Sequence, residues 1–381
     1  MELFDFYKKA EKKAVSKQDY SKQRMKIKEN FWIESNDGIV NQFYEEMKYE
    51  TFNEYIVVAI DGSKTILPRC KELEEKYGLA NANNSQQKCV QCLISGCYDV
   101  LNKIMMNIEI APYASDEREL AQKNIEHLKK AHPDKKVLII FDRGYPSINL
   151  LYYLEKEGIK YIIRLQNSMY EKEKRNMKSN DEEIEIELNK DRLTGKMSEE
   201  VRAELKEKKV IRTRLIKCSL ETGNIEWLVT NLEKKKYPSK KIQELYFKRW
   251  GIEIAYDELK NKLQIENISG KLDVTVRQDI YATIIVYNMI ESMNFMLKNE
   301  IINKEENKHE YKINQNILIG AFKELFIELV ITESEKKKKQ LFELFYEYAI
   351  RCKTAIIPNR SNPRNFKGGS LKCKTNMKRS F

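Results

Sequence analysis

Two runs of consecutive apolar residues stand out from an otherwise polar chain. The first is Tyr55, Ile56, Val57, Val58, Ala59 and Ile60, and the second is Val137, Leu138, Ile139, Ile140 and Phe141. Continuous β-branched runs of this length suit strands of a sheet covered on both faces. Each closes on an aspartate with turn-forming neighbours: Asp61, Gly62 and Ser63 after the first, Asp142, Arg143, Gly144 and Tyr145 after the second. If the strands are parallel and adjacent, both carboxylates emerge at one carboxyl edge, where open α/β sheets place their ligands. Two negative charges held close repel unless a cation lies between them, and oxygen donors suit Mg²⁺. For either aspartate alone a turn or helix-cap role serves as well.

Residues 239–266 carry the helical period, with Ser239 after Pro238 as the start signal and Gly270 beyond the far end as the stop. Taking Tyr246 as zero on a helical wheel, Arg249, Glu253 and Lys260 fall at about 300°, 340° and 320°. Leu245, Ile252, Tyr256, Leu259 and Leu263 cluster beside them as an apolar stripe that can dock on a sheet. The polar stripe would then overhang the edge where the aspartates emerge. Arg249 and Glu253 are also spaced as an ordinary surface ion pair.

Between the two aspartates the pattern predicts strands at 89–99 and 103–110 and a helix at 117–130. After Asp142 it predicts a helix at 147–157 and a strand at 160–165. From 166 to 238 the chain becomes charge-dense and then alternates over 210–220 and 225–231, joined by Glu221, Thr222, Gly223 and Asn224, which reads as a β-hairpin.

The spacing Y-x2-R-x3-E-x6-K, here Tyr246, Arg249, Glu253 and Lys260, resembles the signature of the DDE transposases of bacterial insertion sequences, in the insertion-sequence-four group. Leu245 to Glu253 resembles that group's block around the glutamate, and Ile139 to Tyr145 its second-aspartate block. Asp61, Gly62 and Ser63 with Leu67 and Pro68 resemble the first block, and Ser95 with Tyr98 to Asn102 the intervening strand region. The resemblance implies an α/β fold: a ribonuclease-H-like mixed sheet flanked by helices, with a β-rich insertion and helical N- and C-terminal parts. It divides the chain into a helical region at 1–50, a catalytic domain at 51–165 and 239–300, an insertion at 166–238, and a helical region with a basic tail at 301–381.

The resemblance also implies function. Asp61, Asp142 and Glu253 would be catalytic and would ligate Mg²⁺, for which Mn²⁺ would substitute, in two-metal cleavage at transposon ends followed by strand transfer into target DNA through a hairpin intermediate. Tyr246, Arg249 and Lys260 would contact terminal phosphates and a flipped end nucleotide, roles suited to charge-assisted hydrogen bonds. Arg143 and Tyr145 adjoin the second aspartate and either touch DNA or serve the turn. Trp227 either stacks on an extruded base or packs in its hairpin, since one position along a strand reverses its face. The partners implied are double-stranded DNA, both inverted repeats and target, and a second copy in a synaptic homodimer. A DNA-binding relic or regulator without catalysis, and a host nuclease of the same fold, are the alternatives.

Composition is consistent with this. The chain has 381 residues, a formal net charge of +11 and a pI near 9.0, a balance that favours a polyanionic partner. Neither a signal peptide nor an apolar run of membrane-spanning length is read, Ala282 to Ile290 being short and flanked by charge, so a cytoplasmic protein acting at the nucleoid is expected. Seven cysteines, an odd number, argue against an extracellular disulfide framework, and Cys89, Cys92 and Cys97 fall in a strand-like run that favours buried thiols over zinc. His127, His132 and His309 lie away from the motif blocks. Little sequence precedes the helical region from Val15 to Phe43, so the end-recognition part is expected to be reduced. Arg360, Arg364, Lys367 and the stretch from Lys372 to Arg379 read as a DNA-contacting or solvated basic tail.

Overall fold

The structure is a computed structural model that describes residues 6–8, 10, 12–81, 88–193, 195–220, 223–302, 311–351 and 353–355. Two helices, α1 (Lys17–Arg24) and α2 (Glu29–Glu46), precede the sheet. Then come β1 (Ile56–Leu67), α3 (Lys71–Tyr77), β2 (Leu79–Asn81), β3 (Lys88–Asp99) and β4 (Ile104–Pro112). They are followed by α4 (Glu117–Ala131), β5 (Val137–Phe141), α5 (Ile148–Lys156) and β6 (Lys160–Arg164).

These strands form a mixed sheet flanked by helices, as the ribonuclease-H-like expectation requires. β1 lies between β3, antiparallel, and β5, parallel; β4 runs antiparallel along the far side of β3, and β6 is parallel to β5. The helices start where the sequence signals: the Asp116 side chain accepts from the Arg118 N–H before α4, and the Ser147 hydroxyl accepts from the Leu150 N–H before α5.

The expectation of a strand end at Asp61 is corrected. β1 runs through Asp61, Gly62 and Ser63 to Leu67, because its antiparallel ladder with β3 continues from Val58↔Asp99 to Leu67↔Val90. Only its parallel partner stops short, the β1–β5 ladder ending at Ala59↔Ile140. Asp142 does terminate β5. Carrying that register two residues further sets Asp61 beside Asp142, on the same face of neighbouring parallel strands.

Beyond β6 the chain forms α6 (Glu171–Asn176), β7 (Asp181–Glu187), α7 (Glu199–Lys208), β8 (Val210–Ser219) and β9 (Ile225–Thr230). The hairpin β8–β9 is present, and β9 pairs antiparallel with β6 through Ile162↔Thr230, Ile163↔Val229 and Arg164↔Leu228. The strands β7, β8 and β9 therefore extend the same sheet, to nine strands in all among the described residues.

Next come α8 (Ser239–Phe247) and α9 (Trp250–Asn261). The single helix expected over 239–266 is thus two, separated at Lys248 and Arg249, where hydrogen bonds tighten to i→i+3: Arg249 N–H to Tyr246 C=O at 3.0 Å and Ile252 N–H to Arg249 C=O at 3.1 Å. Pro238, not Ser239, occupies the N-cap position of α8. α10 (Asp273–Ile302), β10 (Tyr311–Ile313), α11 (Gln315–Ile331), α12 (Glu335–Arg351) and β11 (Lys353–Ala355) complete the described chain.

Both faces of the sheet are covered, which is why its strands read as unbroken apolar runs. Ile56, Val58 and Ile60 pack with Ala121 and Ile125 of α4, Leu151 of α5, and Val40 and Phe43 of α2. Ala59 packs on the opposite face with Ile252, Ala255, Tyr256 and Leu259 of α9 and with Ile280 and Ile284 of α10. By length and composition, Asp273–Lys298 within α10 is a helix that could cross a membrane, which corrects the reading that no such segment occurs. Here that helix lies in the core, with Asn288 and Glu291 buried and Asn288 hydrogen-bonded to Asn36 of α2 and to the Met105 backbone.

Candidate active site

The site lies where β1 leaves β5. Asp61 is held from both ends: its Oδ1 accepts from the Gly62 N–H at 2.9 Å, and its backbone carbonyl lies 2.9 Å from the Tyr256 hydroxyl of α9. That hydroxyl is also 3.0 Å from the Ile94 carbonyl and so ties β1 to β3 beneath α9. Glycine is required opposite Asp61, since a Cβ on Gly96 would stand 2.6 Å from the Tyr256 Oη. Asp142 is held by its own turn, with Oδ1 accepting from the Gly144 N–H at 2.7 Å.

Arg249 joins the helix break to the strands. Its Nη2 donates to Glu253 Oε1 at 2.8 Å and its Nη1 lies 3.5 Å from Asp61 Oδ2. The guanidinium is buried, and its Nε has no hydrogen-bond partner. Burial pushes the Asp61 carboxyl up to about 7, an effect reinforced by Asp142 and Glu117 and opposed by the Gly62 N–H and Arg249. The structure thus brings together Asp61, Asp142, Arg249 and Glu253, and adds Glu117, which the sequence did not single out.

The remaining candidates are placed differently. Tyr246 is buried at the end of α8, its hydroxyl unpartnered and pushed up to about 12 by burial. Lys260 sits two turns beyond Glu253 and donates to the Lys64 carbonyl of β1 at 2.7 Å, and burial lowers its pKa. Because of the break, Tyr246 does not share the continuous face drawn for Arg249, Glu253 and Lys260: it packs with Ile242 and Leu245 in a cluster separate from that of α9. Tyr145 faces inward, 1% exposed, against Phe141, and its hydroxyl donates to Glu117 Oε2 at 3.1 Å, so of its two readings the structure carries the packing one.

Arg143 is exposed and, with Arg164, Gln166, Asn167 and Trp227, lines a groove of about 890 Å³ beside the site. Trp227 is half-buried, one side against the core under β6 and β9, and Lys174 and Lys217 lie 5.2 and 5.9 Å from its ring centroid. Trp227 thus packs in part on the core, as its packing reading expected. Cys89, Cys92 and Cys97 are buried free thiols, with Cys92 and Cys97 in different clusters on opposite faces of the sheet. His127 and His132 bond to Asp37 and Asn41, away from the carboxylates. His309 and the basic tail from Arg360 to Arg379 lie outside the described residues.

Asp61 and Glu253 flank the buried Arg249 guanidinium, with Asp142 and Glu117 near Asp61, and carboxylate oxygens are hard donors of the kind that suit a divalent metal. Among the described residues no three acidic, His or Cys side chains yet converge on one point, the Arg249 guanidinium standing between Asp61 and Glu253.

The model of the transposase DDE domain family matches residues 53–289, a span that contains Asp61, Asp142, Arg249 and Glu253. The chain belongs to this family. The DDE transposase domain therefore occupies well over half of the chain and runs from just before β1 into α10. A search of curated proteins gives no match. Among solved structures, this chain is similar over 82% of its length to the cryo-electron microscopy structure of the piggyBac transposase synaptic complex with hairpin DNA, at 13% identity and a TM-score of 0.40. The match spans 60% of that chain's length.

Proposed function

We propose that this protein is a transposase of the insertion-sequence-four group, cleaving DNA at transposon ends in a metal-dependent reaction and joining the freed ends to target DNA. The observation that supports the reading is the DDE transposase domain itself, within which Asp61 and Asp142 lie on neighbouring strands and Arg249 links Asp61 to Glu253. Asp61, Asp142 and Glu253 would hold Mg²⁺ or Mn²⁺, which when bound would supply an activated water or 3′-hydroxyl and charge stabilisation for the leaving 3′ oxygen.

The chain's own residues do the rest. Arg249 is already desolvated, with an unused Nε donor, and binds a backbone phosphate by exchanging carboxylate for phosphate oxygens. The Tyr246 carbonyl accepts from the Arg249 N–H at 3.0 Å and so would help to set Arg249 at the helix break. Arg143, Arg164 and the exposed side of Trp227 line a groove wide enough for a nucleotide leaving the stack, next to Asp142. Excision by way of a hairpin, action as a synaptic homodimer, the division into a catalytic domain at 51–165 and 239–300 with an insertion at 166–238, and action at the bacterial nucleoid belong to the same reading.

The test is to incubate the protein with DNA bearing the terminal repeats of its own element, with and without Mg²⁺, beside Asp142→Ala and Glu253→Ala. Mg²⁺-dependent cleavage and joining, lost in both variants, is the expected result. Binding without cleavage would favour a DNA-binding relic, and cleavage without joining a nuclease.

A further inference from the structure

The turn that carries Asp142 is held from outside at two successive carbonyls. Within the turn, Asp142 Oδ1 accepts from the Gly144 N–H at 2.7 Å, the bond by which an aspartate folds its own backbone. The Gly144 nitrogen and the Arg143 carbonyl belong to one planar peptide unit, so whatever orients that carbonyl also orients the N–H that grips the carboxylate. The Gln166 side-chain amide donates to the Arg143 carbonyl at 3.1 Å. The next peptide is held too, since Arg118 Nη2 donates to the Gly144 carbonyl at 3.0 Å. The far end of the turn is anchored inward: Tyr145 is buried and donates to Glu117, whose side chain fills the space that a Cβ on Gly62 would take, 2.8 Å from its Cδ.

Gln166 is exposed, yet its backbone is fixed on both sides. Just before it, the Leu165 N–H donates to the Trp227 carbonyl of β9 at 2.8 Å. Lys174 of α6 donates to the Gln166 and Asn167 carbonyls, each at 3.0 Å, and its ammonium stands 5.2 Å from the centre of the Trp227 ring. The Gln166 side chain is therefore a strut between the Trp227 groove and the Asp142 turn. Arg143 and Gly144 are both exposed, and glycine leaves their shared peptide free to rotate unless something outside the turn holds it. A neutral surface hydrogen bond contributes modestly to stability, but here it selects one orientation of that peptide.

We infer that Gln166 is a positioning residue for Asp142: through the Arg143–Gly144 peptide it fixes which way the carboxylate faces, and through Leu165 and Lys174 it ties that aim to the Trp227 groove. The inference rests on the reading of Asp142 as a catalytic carboxylate of a transposase. Gln166 touches no reacting atom in this role. It acts by keeping the carboxylate in register with whatever the groove holds.

The experiment compares Gln166→Met, which keeps the length of the side chain and removes the donor, with Gln166→Lys, which restores a donor. Two quantities are read on the full chain. Without metal or DNA, hydrogen exchange of the Gly144 amide, followed by NMR, is expected to quicken about tenfold in Gln166→Met and to return toward wild type in Gln166→Lys, with Tm moving little. With Mg²⁺ and saturating terminal-repeat DNA, the single-turnover cleavage rate is expected to fall about tenfold in Gln166→Met and to recover in Gln166→Lys. DNA affinity measured without metal is expected to stay at the wild-type value in Gln166→Met, which separates aim from binding. Unchanged Gly144 exchange in Gln166→Met would overturn the link to the turn. Faster exchange with a wild-type cleavage rate would overturn the role in the reaction, and a loss confined to DNA affinity would make Gln166 a DNA contact instead. No cleavage by the wild type would overturn the transposase reading and with it the purpose of the link, whereas the exchange result alone decides whether the link exists.

Discussion

Arg249 pairs with Glu253 at 2.8 Å across the start of α9 while its other amino group faces Asp61 at 3.5 Å, so one guanidinium bridges a helix and a strand that the chain separates by nearly 190 residues. Without it, Asp61 and Glu253 face each other with no cation between them. Arg249→Gln is expected to lose about 1–3 kcal/mol of stability in the presence of a chelator, a range that allows for the partial exposure of Glu253. Part of that loss should return on adding Mg²⁺. Denaturant titrations with and without the metal measure both, and equal losses in the two conditions would show that Arg249 acts by packing alone.

Tyr256 and Gly96 are a matched pair, since the hydroxyl occupies the space that a side chain on Gly96 would fill. Gly96→Ala should cost about 1–3 kcal/mol through overpacking. In a Tyr256→Phe background the added methyl group meets no oxygen, so the double variant should be more stable than the sum of the two single effects. Strict additivity would mean that the strands move apart instead.

Glu291 lies buried in α10, hydrogen-bonded by Asn294 and Gln315, and burial pushes its carboxyl up to about 7, with nearby Glu258 adding to the effect and Lys103 opposing it. A raised folded-state value means that the folded protein keeps a proton the unfolded chain has already lost. Stability from this group is then fully present below the unfolded value of about 4.3, declines between there and about 7, and is flat above. The slope is at most about 1.4 kcal/mol per pH unit. Glu291→Gln should remove that slope and be the more stable protein at pH 8, and an unchanged pH profile would place the effect elsewhere.

Trp227 offers one side of its ring to the groove and two lysines to a phosphate chain. Trp227→Ala should weaken binding of DNA with an unpaired terminal nucleotide by about 1–3 kcal/mol, the range for loss of base stacking. Fully paired ends should be affected less, and Trp227→Phe should keep most of the preference. Equal losses on both DNAs would assign Trp227 to packing.

Strands such as Val137–Phe141 and Lys160–Arg164 were legible because two-sided burial writes itself as unbroken apolar sequence. Asp61 was read at a strand end because Asp-Gly is a turn pair by propensity, whereas the ladder with β3 carries β1 through it. The break at Lys248 and Arg249 has no Pro, and no shift in apolar period announces it; the tightened turn shows only in the hydrogen bonds. Glu117 looked like an ordinary acid in the first turn of a helix, where the dipole favours it. The signal that pointed to it was Gly62, a lone glycine inside a strand, which marks a close approach.

The pairing of β9 with β6 has a mechanical consequence. Because these strands are bonded edge to edge, the span from the Asp142 strand to the Trp227 strand is two inter-strand steps, about 10 Å, and it is as stiff as the sheet itself. The insertion is in this respect a caliper, with one jaw at the carboxylates and the other at the indole. If, as proposed, a DNA end is held at both, its cleavage point would be fixed by length, so lengthening the β8–β9 turn should leave the cut position unchanged, whereas shifting the β6–β9 register should move it.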